Sequence, residues 1–245
     1  MEEYNLNEPL LSNKDNEYDE AQVESMINAK IRNGFIVKVY SILMIQILLT
    51  TFIVFISYYS DSFNKFLLGN SLIFLFSTAL LFSTFIIFVC YEDLLRKVPH
   101  NYICLFCFTL AESYFIASIT CVYDKNSVLF TLFLTFTMVL SLTIYAMKTE
   151  YDITIIGGVL FSLGSVLIIA SIILFFIAIP LIEMFLTIII IILFAVYIVY
   201  DTQLIIGNHS KVKFSIDDYI LASFCLYLDI VNLFIRLLSI FGEHR

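Results

Sequence analysis

Four ionisable side chains sit inside stretches of this sequence that are otherwise apolar: Glu112, Asp201, Asp229 and Arg236. Charged groups at bilayer depth are costly and turn toward a cavity or a partner, so each is a candidate for function. Cys225, Asp229, Asn232 and Arg236 follow one another at spacings of four, three and four, which puts them in one stripe on a helix. Asp229 and Arg236 lie about 10 Å apart along that helix and do not pair directly. Asp201 is the better partner for Asp229. It lies about 9 Å from a helix end at Gly207, and Asp229 lies about 15 Å from a helix start at Tyr219, so the two carboxyls reach similar depth. Consecutive helices joined by a short loop are neighbours.

Two carboxylates in a low-dielectric interior cannot both stay charged without a cation between them. Sharing a proton, Asp201 and Asp229 would form a pH-sensitive latch; binding a hard cation through oxygen, they would form a cation site, and the two are compatible. Glu112, Asn232 and Arg236 are secondary polar candidates. Each has a plainer reading. Asp201 can reach interfacial water at a helix end, and Asp229 can make a structural hydrogen bond to a neighbouring helix. Glu112 divides evenly between function and structural pairing, and Arg236 fits a snorkelling anchor better than a pore residue. Asp152, Asp217 and Asp218 open helices, where a carboxylate suits the macrodipole.

The elements that hold these groups are read from the apolar runs. The 245-residue chain is 61% hydrophobic and only 14% charged, against about a quarter charged in a soluble domain. A bilayer core needs about 20 apolar residues per helix. Such runs occur at 39–60, 66–91, 98–123, 126–147 and 219–241, and 153–207 has room for two, with the turn near Pro180 and Glu183. The runs are continuous rather than alternating, which excludes a transmembrane barrel. The expectation is an all-α membrane protein, a bundle of seven transmembrane helices with the seventh central, because its faces away from the polar stripe are apolar almost all round.

Charge sets the direction. Lys30, Arg32, Lys38, Arg96, Lys97, Lys148, Lys211 and Lys213 fall on the side of the N-terminus, against Lys65, Lys125 and Arg245 on the other, with Arg236 snorkelling toward it. The positive-inside bias puts the N-terminus in the cytosol. The net charge of -8 comes mostly from the first 25 residues, with eight acids and one Lys. Residues 1–30 are therefore expected to be a disordered acidic cytosolic tail, with the membrane domain at 31–245. The chain does not open with a positive n-region and an apolar run, so no signal peptide is expected.

Other features carry no chemistry of their own. Cys104 and Cys107 form a CxxC within a span, without a second ligand pair. His100, His209 and His244 are scattered, and Gly157, Gly158, Ser162, Gly164 and Ser165 give the fifth span a small face for close packing. Phosphate-binding, zinc-protease and serine-hydrolase motifs are missing, so no enzyme and no cofactor is expected. No basic footprint for nucleic acid is present.

Several motifs resemble the Bax-inhibitor/lifeguard family in order along residues 31–242. They are Ile31-Arg32-Asn33-Gly34-Phe35-Ile36-Val37-Lys38-Val39-Tyr40 with Leu43 and Gln46; Pro99-His100-Asn101 with Glu112-Ser113; and Thr149-Glu150-Tyr151-Asp152-Ile153-Thr154. The most specific are Tyr200-Asp201-Thr202-Gln203-Leu204-Ile205 and Asp217-Asp218-Tyr219 leading to Tyr227-Leu228-Asp229-Ile230-Val231-Asn232-Leu233-Phe234. The resemblance implies a seven-helix bundle acting as a pH-sensitive calcium leak of endomembranes that protects against cell death. The family's paired aspartates map onto Asp201 and Asp229. Bacterial members also hold the closed state with an Arg on the second span, whereas residues 71–91 contain no basic residue. A latch here must rely on the carboxyl pair with protons or cations, aided by Arg32 or Lys38 from the membrane edge.

The leading functional expectation is a calcium leak channel gated by Asp201 and Asp229, with calcium and protons as its permeant and controlling ions. The alternative is a membrane scaffold that regulates apoptosis or stress signalling through other membrane proteins. A seven-helix receptor ranks last, since the loops are short. Asn7-Glu8-Pro9-Leu10-Leu11 resembles an acidic dileucine signal, and the endoplasmic reticulum, Golgi and vacuole or lysosome all fit.

Overall fold

The computed structural model describes residues 8–90, 96–177, 179–207 and 211–245. Among them are eight α-helices: α1 (Glu8–Tyr59), α2 (Asp61–Gly69), α3 (Ser71–Cys90), α4 (His100–Thr120), α5 (Lys125–Lys148), α6 (Gly157–Ile177), α7 (Pro180–Ile206) and α8 (Tyr219–Phe241). A 3-10 turn, Ile153–Ile156, leads into α6. The described residues hold no β-strand, only an isolated bridge between Tyr123 and His244. The protein is all-helical.

Among the described residues six segments are long and apolar enough to cross a membrane, in α1, α4, α5, α6, α7 and α8. The chain is thus a multi-pass membrane protein. The run at 66–91, expected to contain a span, holds the 20-residue apolar helix α3. Phe66 belongs to α2, the helix breaks at Asn70, and α3 begins at Ser71. Gly69 lowers helix propensity, and the Asn70 side-chain amide folds back to donate to the Phe66 carbonyl at 3.0 Å. Tyr91 lies outside the described residues, as do His209 and residues 1–7 of the expected acidic tail. Residues 8–30 of that tail segment belong to the long helix α1, whose apolar portion runs from Gln22 to Tyr59. The turn expected near Pro180 is found, with Pro180 at the first position of α7, where its missing N–H costs nothing.

In lipid, apolar side chains gain little by leaving hydrocarbon, so packing and internal hydrogen bonds decide which faces turn inward. α1 illustrates this. Phe35, Val39, Leu43, Gln46, Thr50, Val54 and Ser57 are its buried positions, at helical spacing. Val37, Met44, Ile45, Leu48 and Phe52 stay exposed on the other side. Such a broad apolar exterior suits contact with lipid. The interior is threaded with small or hydroxyl residues, among them Thr109, Ser113, Ala117, Thr120, Ala222 and Ser223.

α8 is buried along 13 of its 23 residues and packs against α1, α4, α5 and α7. α6 rests on α7, where the small face meets two tyrosines. Gly157 lies under Tyr200, and Gly164 lies under Tyr197, whose hydroxyl donates to the Leu160 carbonyl at 2.9 Å. Gly158 has open space around it and Ser162 is exposed, so only part of the predicted face makes the contact.

Candidate functional site

Asp201 and Asp229 are each only 7% exposed. They project from the packed helices α7 and α8 into one interface, where the two carboxyl groups come within hydrogen-bonding reach of each other. A hydrogen bond between carboxyls requires one proton, so a bonded pair carries one negative charge at most. Oδ2 of Asp229 has no partner among the described residues. Cys225, Tyr197 and Tyr200 are the pair's nearest electrostatic neighbours. The site is enclosed by sulfur and phenol rather than by opposite charge.

The stripe read from the sequence does face α7. Cys225 and Asp229 meet Asp201 at one end, and Arg236 lies half-buried toward Glu183, in the first turn of α7, at the other. The expected snorkelling anchor therefore has an acidic neighbour on the adjacent helix. Asn232 donates to the Leu228 carbonyl of its own helix at 2.8 Å and takes no part in the pair.

Glu112 is not brought to the aspartates. It is buried on α4 near Tyr227, on the other side of α8, and makes no hydrogen bond or ion pair among the described residues. Around it runs a hydroxyl network that sequence reasoning missed. Gln46 donates to Thr109 Oγ1 at 3.1 Å, while Thr50 Oγ1 lies 2.9 Å from Ser113 Oγ and 2.8 Å from the Tyr227 hydroxyl. The signal was available in the four-residue spacing of Gln46 and Thr50 and of Thr109 and Ser113. An apolar cavity of about 320 Å³ opens beside Thr50 and Tyr227, bounded by Ile116, Leu132 and Phe234. It is separate from the carboxyl pair.

The basic residues at the membrane edge take different partners from those expected. Arg32 donates from Nε to the Ile206 carbonyl at 3.2 Å, from Nη1 to Phe214 at 2.7 Å and from Nη2 to Leu204 at 2.5 Å. The Lys38 ammonium sits over the Tyr219 ring, 3.2 Å from its centroid. Both work on backbone and ring rather than on the carboxyls. Around them the loops are tied together. Gln203 bridges the Tyr151 carbonyl and the Ile153 N–H at 2.8 Å each, and Arg96 pairs with Asp218 at 2.8 Å. Asp218, expected as a cap, makes no capping bond. Asp152 does cap, accepting from the Thr154 N–H at 3.0 Å, and its other oxygen accepts from the Lys211 N–H at 2.9 Å. Asp217 is exposed just before α8.

As a metal site the pair is sparse. Two carboxylates supply about four oxygens, whereas calcium takes six to eight. Among the described residues no group of three or more His, Cys, Asp or Glu is arranged so that it could hold a metal ion. Cys104, Cys107, Cys121 and Cys225 are free thiols.

The family described as "Inhibitor of apoptosis-promoting Bax1" matches residues 32–245. The chain is 32% identical to human "Protein lifeguard 3" over 220 residues, which is 88% of this chain and 70% of that protein. The mouse protein of the same name is 32% identical over 218 residues, covering 87% of this chain and 70% of its own length. The "Golgi anti-apoptotic protein" of vaccinia virus (strain Lister) is 33% identical over 210 residues, covering 86% of this chain and 85% of its own. With a family match across nearly the whole membrane region and relatives aligned over most of their length, the chain belongs to the Bax inhibitor/lifeguard family.

Proposed function

We propose that this protein is a pH-sensitive calcium leak of an endomembrane, with the Asp201–Asp229 pair as its gate. The observation that carries the reading is the burial of the two carboxyls within hydrogen-bonding reach of each other across the α7–α8 interface. While one proton is shared, the helices are held together and the path stays shut. When that proton leaves, two negative charges face each other in low dielectric and repel. The helices then part, and the freed carboxylates present oxygens to a passing calcium ion. Leak therefore rises with pH.

In this reading α3 (Ser71–Cys90) is the seventh span and α8 is the central helix. Its burial and its packing on four other helices support that role. The N-terminus faces the cytosol, following the Lys and Arg distribution. The name of the vaccinia relative favours the Golgi among endomembranes.

The test is calcium flux from sealed liposomes carrying the purified protein, measured from pH 5 to 8. Wild-type flux is expected to change by about tenfold over that range, the equivalent of about 1.4 kcal/mol in the closed–open balance. Asp201→Asn and Asp229→Asn remove the titrating pair and should flatten the profile. Profiles unchanged in both variants would remove the gate.

A second reading is favoured by the names of the family and of the vaccinia relative, which speak of inhibiting Bax1 and of anti-apoptotic action. Here the protein is a scaffold that restrains cell death through membrane partners. Deleting residues 1–28 separates the two, since a leak survives the deletion and an adaptor that works through its acidic segment does not.

A further inference from the structure

α7 ends where Gly207 turns into the left-handed region at φ 68°, its N–H bonding the Gln203 carbonyl at 2.9 Å. Glycine is favoured at such an end because a side chain is strained there. The last carbonyls of a helix still need donors. Here those donors come from another helix. The Arg32 fork, carried by α1, takes the Leu204 and Ile206 carbonyls and reaches across to Phe214 in the loop that leads to α8. Its face lies on the Phe35 ring, 4.7 Å from the centroid. The planar guanidinium suits several acceptors at once in a way that an ammonium does not, and its charge complements the negative end of the helix.

The close fit is reciprocal. A methyl group at Gly207 would stand 2.9 Å from an Arg32 terminal nitrogen. Leu204, which accepts from Arg32, also accepts from the Phe214 N–H at 3.2 Å, so one carbonyl links the end of α7 to the loop. Asp201 lies three residues before Leu204, one turn up the same helix.

We propose that Arg32 is a positioning residue for the gate: by capping α7 from α1 and fastening the loop beyond it, the guanidinium keeps Asp201 seated against Asp229. This rests on the reading of that pair as the gate. Arg32 touches neither carboxyl and acts through the last turn of α7. The helix that carries the N-terminal acidic segment is thereby coupled mechanically to the site.

The experiment uses the full chain in liposomes, with hydrogen exchange and calcium flux at one fixed pH. Arg32→Gln should speed exchange of the 201–207 amides by about tenfold, the size of one lost charge-assisted hydrogen bond. Exchange in α4 and α5 should stay unchanged, and flux should rise by a similar factor. Gly207→Ala, which pushes the guanidinium out, should do the same. The double variant should fall clearly short of the product of the two single effects, because both break one contact and only the backbone strain at Gly207 adds to it. Arg32→Lys should restore part of the protection, since the charge remains and the fork does not.

Unchanged exchange at 201–207 in Arg32→Gln would overturn the proposal, and so would effects that multiply in the double variant. Faster exchange throughout the bundle would mean general loosening and would also overturn it. If Arg32→Gln does not fold, Gly207→Ala and Arg32→Lys decide by the same readouts. If wild-type liposomes pass no calcium, the gate reading falls, and the exchange pattern alone still decides whether Arg32 seats Asp201.

Discussion

The hydroxyl of Thr50 lies 2.8 Å from that of Tyr227, joining α1 to the most buried helix of the bundle. Tyr227 is fully buried, and the Thr50 hydroxyl also contacts Ser113 on α4, so three helices meet at one oxygen. Tyr227→Phe removes one member while keeping the ring. The expected cost is about 0.6–1.7 kcal/mol, the range for interhelical hydrogen bonds in membranes. Denaturant titration in mixed micelles should register it, and Thr50→Val in the same background should add less than it does alone.

Adjacent glycines at 157 and 158 should respond oppositely to the same change. A methyl at Gly157 would stand 2.6 Å from the Tyr200 hydroxyl and 3.2 Å from its ring, whereas Gly158 has nothing within 4 Å. Gly157→Ala is expected to destabilise by about 1–3 kcal/mol through overpacking. Gly158→Ala should be neutral or stabilising by about 0.4–1 kcal/mol, since alanine loses less backbone freedom in a helix. Thermal midpoints of the purified variants would reveal the contrast, and equal shifts would contradict the α6–α7 packing.

Asp152 lies outside the spans, where its behaviour in acid can be followed. The Thr154 hydroxyl and the Lys211 N–H stabilise its charged form and hold its carboxyl below the ordinary value of 3.8. A carboxyl depressed in the folded state contributes stability above its unfolded value and loses it as pH falls through the folded one. Protease cleavage at Lys211 is therefore expected to stay slow at neutral pH and quicken only once the medium is acidified below the aspartate range. Asp152→Asn should quicken it at pH 7 already.

Orientation has a direct check. Lys125 begins α5 at one end of the bundle, and Lys213 lies in the loop before α8 at the other. Single cysteines at the two positions, in a background lacking the native thiols, should differ toward an impermeant maleimide added from the cytosolic side. Lys213→Cys is expected to label and Lys125→Cys to stay protected. The reverse pattern would invert the bundle.

The carboxyl pair was legible in the sequence because helix geometry converts residue counts into depth, and consecutive helices had to be neighbours. That 153–207 divides in two followed from length, and Pro180 with Glu183 marked where. The break at Asn70 was not legible, because a side chain folding back onto its own helix leaves the apolar pattern intact. Nor were the targets of Arg32, since backbone carbonyls carry no residue-type signal and become a site only once Gly207 has turned the chain. The spacing of Thr50, Thr109 and Ser113 was visible, but their bridging role was not. Hydroxyls in membrane helices commonly bond their own turn, as Thr50 does with the Gln46 carbonyl, and only the contact of α1 with α4 makes them bridge.

Tyr227 and Asp229, two residues apart, point from α8 in nearly opposite directions, one into the hydroxyl network and the other into the carboxyl pair. A rigid rod gripped on both flanks cannot be twisted on one side alone. Any rotation of α8 large enough to separate the aspartates must also drag the tyrosine from Thr50, so the far flank sets part of the torque needed to move the near one.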